Sequence, residues 1–308
     1  MTTMTAPASP ASSSSDLEPE MDITKIPDWL LTHPGLHKRG IVVHEALQPF
    51  TVYATQWRPE GPIYVVKAIN PSRPEADFYD LFDRYSDSPT DHTVPHEVIR
   101  CDRPLLVMPF ASRIMHFCSC KTSSILATFD QVLEGVEHLH RLHVAHGDLY
   151  THNVIGATER DAGRDPRLTA GRVYLIDFET CRQFEHGPGV QTAVPLPNTH
   201  VVPPLGMTTF DPYSWDVYCL GRTLEGIVQE RFMISLEKKP RIPGLFARWL
   251  KGNEAGCTSV CHCRPTVTRA RQVLVIVRWF VQVAELVIAI ATYVRTLFET
   301  PRGHNSRY

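Results

Sequence analysis

Extended and helical segments are segregated along this chain, and that segregation constrains its fold more than any other feature. From Gly40 onward come short β-rich runs, Ile41-Val42-Val43, Thr51-Val52-Tyr53 and Ile63-Tyr64-Val65-Val66-Lys67-Ala68-Ile69, punctuated by Pro and Gly. Arg73-Pro74-Glu75 opens a short helical pattern with Phe78, Leu81 and Phe82 on one face, and two more extended runs follow, His96 to Cys101 and Leu105 to Phe110. Helical periodicity then takes over: Ile125, Phe129, Val132, Val136 and Leu139 recur at spacings of four and three. Further on, Asn153-Val154-Ile155 and Val173 to Asp177 read as short strands around a polar insert, Gly156 to Arg172, expected to be a surface hairpin loop. A Pro-rich irregular stretch runs from about Gly187 to Pro212, and helices resume at Ser214-Trp215-Asp216. A β-rich part followed by an α-rich part predicts an α+β fold with two lobes.

Composition narrows the class of protein. With 308 residues, 43% hydrophobic and 21% charged, the chain can bury a core the size of one catalytic domain. A formal net charge of -2 argues against a nucleic-acid partner held by bulk electrostatics. Residues 1–20 are mostly Ser, Thr, Ala and Pro, too poor in apolar mass to offset their ordering entropy, and are expected to be a disordered tail. The eight cysteines follow no framework, and the N-terminus has neither the basic nor the apolar region of a secretory signal. The expected location is therefore intracellular, cytoplasmic or nuclear, with free thiols.

Between the amphipathic helix and the strand at Asn153 lies His146-Gly147-Asp148-Leu149-Tyr150-Thr151-His152-Asn153. Taken alone, its Asp and Asn could satisfy backbone groups of a turn. A second carboxylate follows an apolar strand, in Asp177-Phe178-Glu179, and a lysine stands inside a strand at Lys67. The order of these three features carries the chemistry. His146-Gly147-Asp148-Leu149 with Asn153 resembles the catalytic loop of the eukaryotic protein-kinase superfamily, H-R-D-L-x-x-x-N. Asp177-Phe178-Glu179 resembles the D-F-G motif with its glycine replaced, and Val65-Val66-Lys67-Ala68-Ile69 resembles the strand whose lysine pairs the nucleotide phosphates. Asp216-Val217-Tyr218 is similar to the helix whose buried Asp braces the catalytic loop, and Arg264-Pro265-Thr266 to a late signature of the helical lobe. The mixture is also similar to divergent fungal kinase-like proteins.

The resemblance runs from about Arg39 to Leu274 and implies a bilobal protein-kinase-like fold, with residues 21–110 as N-lobe, 111–274 as C-lobe and 275–308 as an apolar helix and tail. It implies ATP and Mg2+ as cofactors. Asp148 would be the catalytic base, Asn153 and Asp177 metal ligands, and Lys67 the phosphate clamp held by Glu75, with Asp77 as the alternative. Met108 would stand at the gatekeeper position, and adenine would meet the hinge backbone around Pro109, Phe110 and Ala111.

Several positions depart from that pattern. His44 to Phe50 stands where the family has its phosphate loop and contains no glycine, so side chains would hold the backbone off the phosphates. Gly147 replaces the arginine that reads a phosphorylated activation loop, Tyr150 replaces a phosphate-contacting lysine, and Val202-Pro203-Pro204 replaces A-P-E. The expected function is ATP- and Mg2+-dependent phosphoryl transfer to Ser or Thr of proteins, the protein substrate being unknown. A pseudokinase scaffold and a small-molecule kinase, similar to the aminoglycoside and choline phosphotransferases that share H-G-D-L and D-F-E-like motifs, are the alternatives.

Two features lie outside this pattern. Cys257, Cys261, His262 and Cys263 are metal-ligand types, but no second pair stands at zinc-finger spacing, and they are not read as a metal site. Val273 to Val294 is long and apolar enough to raise a membrane span, interrupted by Arg278, Gln282 and Glu285 along one stripe. The stripe predicts a helix packed on the C-lobe with those polar residues as its wet edge.

Overall fold

A computed structural model describes residues 25–196, 199–233, 239–253 and 259–298. The tail expected at 1–20, Cys257 and residues beyond 298 lie outside the described residues. Two short helices, α1 (Asp28–Leu31) and α2 (Pro34–His37), precede three strands, β1 (Val43–Gln48), β2 (Val52–Thr55) and β3 (Tyr64–Ala68). Helix α3 (Glu75–Asp83) and strands β4 (Glu97–Ile99) and β5 (Leu105–Pro109) complete an antiparallel sheet in the order β1-β2-β3-β5-β4. Strand β5 is buried on both sides, and its alternation divides the core. Leu105 and Val107 pack with Leu30, Leu36 and Tyr53 under α1 and α2, while Leu106 and Met108 join Phe78 and Phe82 of α3 in the main core.

Past β6 (Ser112–Arg113) the chain turns helical, through α4 (Ile114–Phe117) and the long α5 (Thr122–Arg141). All five periodic residues of α5 are buried, as the spacing predicts. Strand β7 (Val144–Ala145) leads into the octapeptide, which ends in a 3-10 turn at Thr151–Asn153 and passes directly to β8 (Val154–Gly156). The insert after β8 is not a plain loop. It contains α6 (Glu159–Arg164), started by a capping box between Thr158 and Asp161. Asp161 also accepts from the Ser112 hydroxyl at 2.8 Å, which ties the insert to the lobe junction.

Strands β9 (Val173–Leu175) and β10 (Arg182–Gln183) follow; β9 pairs with β8, and β10 clamps β7. The Pro-rich stretch holds only the short pair β11 (Val194–Pro195) and β12 (Thr209–Phe210). Helix α7 (Pro212–Met233) begins with Pro at its first position, where a missing N–H costs least, and Asp211 accepts from the N–H groups of Tyr213 and Ser214. It is buried on most sides and forms the axis of the helical lobe, beside α8 (Arg241–Lys251). The chain is thus a bilobal α+β protein of the kinase-like kind that the motifs imply.

Helix α9 (Val267–Phe298) departs from expectation in its orientation. Its polar residues face the lobe: Arg271 bonds Glu137 of α5 at 2.9 Å and also reaches Glu134, Arg278 pairs with Asp130, and Glu285 accepts from Ser123 N–H at 3.2 Å. Gln282 is exposed, but the charged part of the stripe is docked, alongside the buried Val267, Ala270, Leu274 and Val281, and most of the remaining apolar surface is the wet side. The reason is complementarity: α5 presents the carboxylates Asp130, Glu134 and Glu137 along one side, opposite the arginines.

Candidate active site

Lys67 sits in β3 between Val66 and Ala68, with its ammonium turned inward between the lobes. Its Nζ donates to Glu75 at 2.8 Å and to Asp177 at 2.8 Å, and Glu179 lies 3.8 Å away. Glu75 is the first residue of α3 and fully buried, so the helix start aims its carboxylate at the strand. Asp77 instead points to solvent and lies 3.8 Å from Arg100. Burial by itself lowers the Lys67 pKa, but the pull of Glu75 and Asp177 outweighs it and leaves the ammonium held more firmly than in water. Burial likewise works to raise the Asp177 carboxyl, and Lys67 overcomes it, so Asp177 is depressed below its ordinary value.

The octapeptide is pinned from below by one residue. Asp216 of α7 is fully buried and accepts from His146 N–H at 2.9 Å, Gly147 N–H at 2.8 Å and His140 Nε2 at 2.9 Å. Trp215 Nε1 donates to Gly147 O at 2.8 Å. Gly147 has φ +83°, a left-handed conformation that suits glycine, and a Cβ there would meet Thr180 O at 3.1 Å. Asn153 Nδ2 donates to Asp148 O at 2.9 Å. Ile176 N–H donates to Asn153 O at 3.1 Å, so the β8–β9 pairing sets Asn153 beside Asp177. Asp177 itself has φ +65°, a strained conformation for a residue with a side chain, of the kind that clusters at functional sites. Phe178 holds it there, fully buried against Tyr79, Phe82 and His146.

Other expected positions are placed as follows. Met108 is buried in β5 opposite Val65, whereas Phe110 is half-buried and edge-on to Trp57 at 4.5 Å. Phe110 N–H is spent on Ile63 O at 2.8 Å, so of the hinge groups it is not the one free to meet a base. The segment His44 to Phe50, expected as a phosphate loop, is mostly strand: β1 runs through Gln48, and the turn to β2 is confined to Pro49-Phe50-Thr51. Phe50 adopts φ +63° at its tip, where a glycine would carry no strain.

Sequence reasoning passed over two residues. Glu179, noted only as a lost glycine, extends toward both Lys67 and Arg73, 3.7 Å away. With Glu75 and Asp177 it makes an acidic trio around the ammonium. His200, from the Pro-rich stretch, covers Asp148: its N–H donates to Oδ1 at 2.7 Å and its Nδ1 lies 2.6 Å from Oδ2. Its ring stacks on Tyr150 at 4.4 Å. Nothing local in the sequence marks His200, because the contact spans an irregular segment.

Residues 122–187 match the lipopolysaccharide kinase (Kdo/WaaP) family. No curated protein matches the chain. The matched stretch runs from the start of α5 through the octapeptide and past Asp177, and over this core the chain is kinase-like.

Proposed function

We propose that the protein is an ATP- and Mg2+-dependent phosphotransferase acting on a hydroxyl group. The observation that carries this reading is the Lys67 ammonium held at 2.8 Å from both Glu75 and Asp177. Phosphoryl transfer needs little covalent chemistry from a protein; it needs charge placed against the phosphates and a base beside the acceptor. Lys67 supplies the fixed positive charge, Glu75 keeps its side chain in that direction, and Asp148 stands on the braced loop to take the acceptor proton. Asn153 and Asp177 carry oxygen donors, the ligand type that Mg2+ prefers, and would hold the ion. When bound, that ion neutralises charge building on the phosphates. Because His200 occupies both Asp148 oxygens, an acceptor hydroxyl must displace it to reach the base.

A protein hydroxyl is the acceptor favoured by the helical lobe. Between β9 and α7 the described chain forms a long, Pro-rich, largely extended segment and no acidic helical insert. Arg264 and Asp216, residues of the protein-kinase pattern, are both buried, with Arg264 bonding Lys251 O at 2.9 Å and lying over the Tyr218 ring. The Kdo/WaaP match favours a second reading, a saccharide hydroxyl as acceptor. An intracellular location fits either.

The test has two stages. Thermal stabilisation by ATP is expected to require Mg2+ and to vanish in Asp177→Asn while the unliganded protein melts normally; unchanged stabilisation in that variant removes the metal assignment. Radiolabelled ATP offered with mixed protein acceptors and with saccharides then separates the two substrates. Nucleotide binding without turnover on either would mean a pseudokinase scaffold.

A further inference from the structure

Helix α9 docks through its charged residues together with the buried Val267, Ala270, Leu274 and Val281, and carries the rest of its apolar surface outward. Trp279 and Phe280 are 58% and 62% exposed, and from Leu286 to Phe298 every residue is exposed on every side. The helix therefore projects past the lobe by about 20 Å, at 1.5 Å per residue. Over an 18-residue window its mean hydropathy reaches 2.2 with only 11% of that window buried. Soluble proteins rarely leave a contiguous apolar surface of this kind uncovered.

The distribution of side chains selects the occupant. A second copy or a partner helix would need an apolar stripe flanked by polar residues. Leu286 to Val294 has no polar side at all, carrying Leu, Val, Ile and Ala around the whole circumference with only Thr292 and Tyr293 as hydroxyls. A helix apolar all round belongs in a core or in lipid, and no core lies there. Trp279 and Phe280, near where the helix leaves the lobe, are residue types suited to the boundary between water and hydrocarbon. We propose that the projecting end of α9 is a lipid anchor, entering one leaflet of a bilayer while Arg271, Arg278 and Glu285 keep the helix docked on α5. Its free length of about 20 Å is short of the roughly 30 Å hydrocarbon core, so the docked helix inserts without spanning. The anchor would hold the interlobe cleft near a membrane surface.

The test is flotation of the full chain with phosphatidylcholine vesicles, alongside light scattering of the lipid-free protein. Co-flotation is expected, with partitioning reduced at least tenfold by the double substitution Val287→Asp and Ile290→Asp. Both positions are exposed, so circular dichroism and melting should not change. A wild-type chain that stays in the dense fractions overturns the proposal, as does a double variant that floats equally well. Overturning it too would be a discrete dimer that these substitutions dissociate without any flotation, since a second copy would then be the occupant.

Discussion

Asp216→Asn is the most informative single change in the helical lobe, because it alters hydrogen bonding at constant shape. The native carboxylate accepts two backbone N–H groups of the octapeptide and one from His140, all within 2.9 Å and fully out of water. An asparagine oxygen at the Oδ2 position keeps His146 N–H and His140 Nε2, but its amide nitrogen then faces Gly147 N–H, donor against donor. One buried N–H left unsatisfied costs about 1–3 kcal/mol, and the two surviving bonds each lose roughly 1 kcal/mol when their acceptor becomes neutral. The expected loss is about 3–5 kcal/mol, a large share of the 5–15 kcal/mol that typically holds a domain together. Urea unfolding followed by far-UV circular dichroism should show a lower midpoint with an unchanged slope, and the melting temperature should fall by about 6–20 °C. Asp216→Ala should cost more, since both backbone donors lose their partner. An Asp216→Asn midpoint within about 0.5 kcal/mol of wild type would mean that the loop does not depend on this brace.

Three further outcomes follow from the site and its surroundings. His200→Ala should lower the KM for the acceptor without changing that for ATP, since it removes the imidazole from Asp148 Oδ2 while the backbone N–H stays on Oδ1; an unchanged acceptor KM refutes the competition. ATP, ADP and adenosine should bind within about tenfold of one another, roughly 1.4 kcal/mol, because the tight β1–β2 turn has no glycine to bring backbone N–H groups close to phosphates; an ATP preference of several hundredfold in calorimetry would contradict this. His92 and His138 are both depressed below 6.5, chiefly by burial. Below about 6.5 the unfolded chain binds protons that the folded protein refuses, so stability should fall as pH drops from 7 to 5.5, and a flat urea midpoint across that range would show that neither group resists protonation.

The parts of the fold that repeat along the sequence were legible in it. Alternating and helical periodicity located β3, β5 and α5, and motif order anticipated that Lys67 meets Glu75 and Asp177. Glu75 was legible because Pro74 fixes where α3 begins, which fixes where its first carboxylate points. Helix α6 was missed because it is short and polar, although Thr158 and Asp161 stand at capping-box spacing. The β1–β2 turn was misplaced because strand β1 has only one fully buried residue and little alternation to follow. The orientation of α9 was inverted because a polar stripe defines a face but not what it meets. The missing information was in α5, whose Asp130, Glu134 and Glu137 match the spacing of Arg271 and Arg278.

The ion pairs and the apolar surface of α9 respond to ionic strength in opposite directions. Its attachment to the lobe combines the buried Val267, Ala270, Leu274 and Val281 with partly exposed ion pairs, the Arg271 and Arg278 side chains being 27% and 24% accessible. Their attraction weakens as added salt shortens the Debye length from about 10 Å at 0.1 M to about 3 Å at 1 M. Its outer face is apolar, and sulfate, which is excluded from protein surfaces, strengthens the burial of such surface. Concentrated sulfate therefore screens the arginine pairs while holding Leu274 and Val281 in the core, and it drives the exposed end of the same helix toward any apolar phase it can reach.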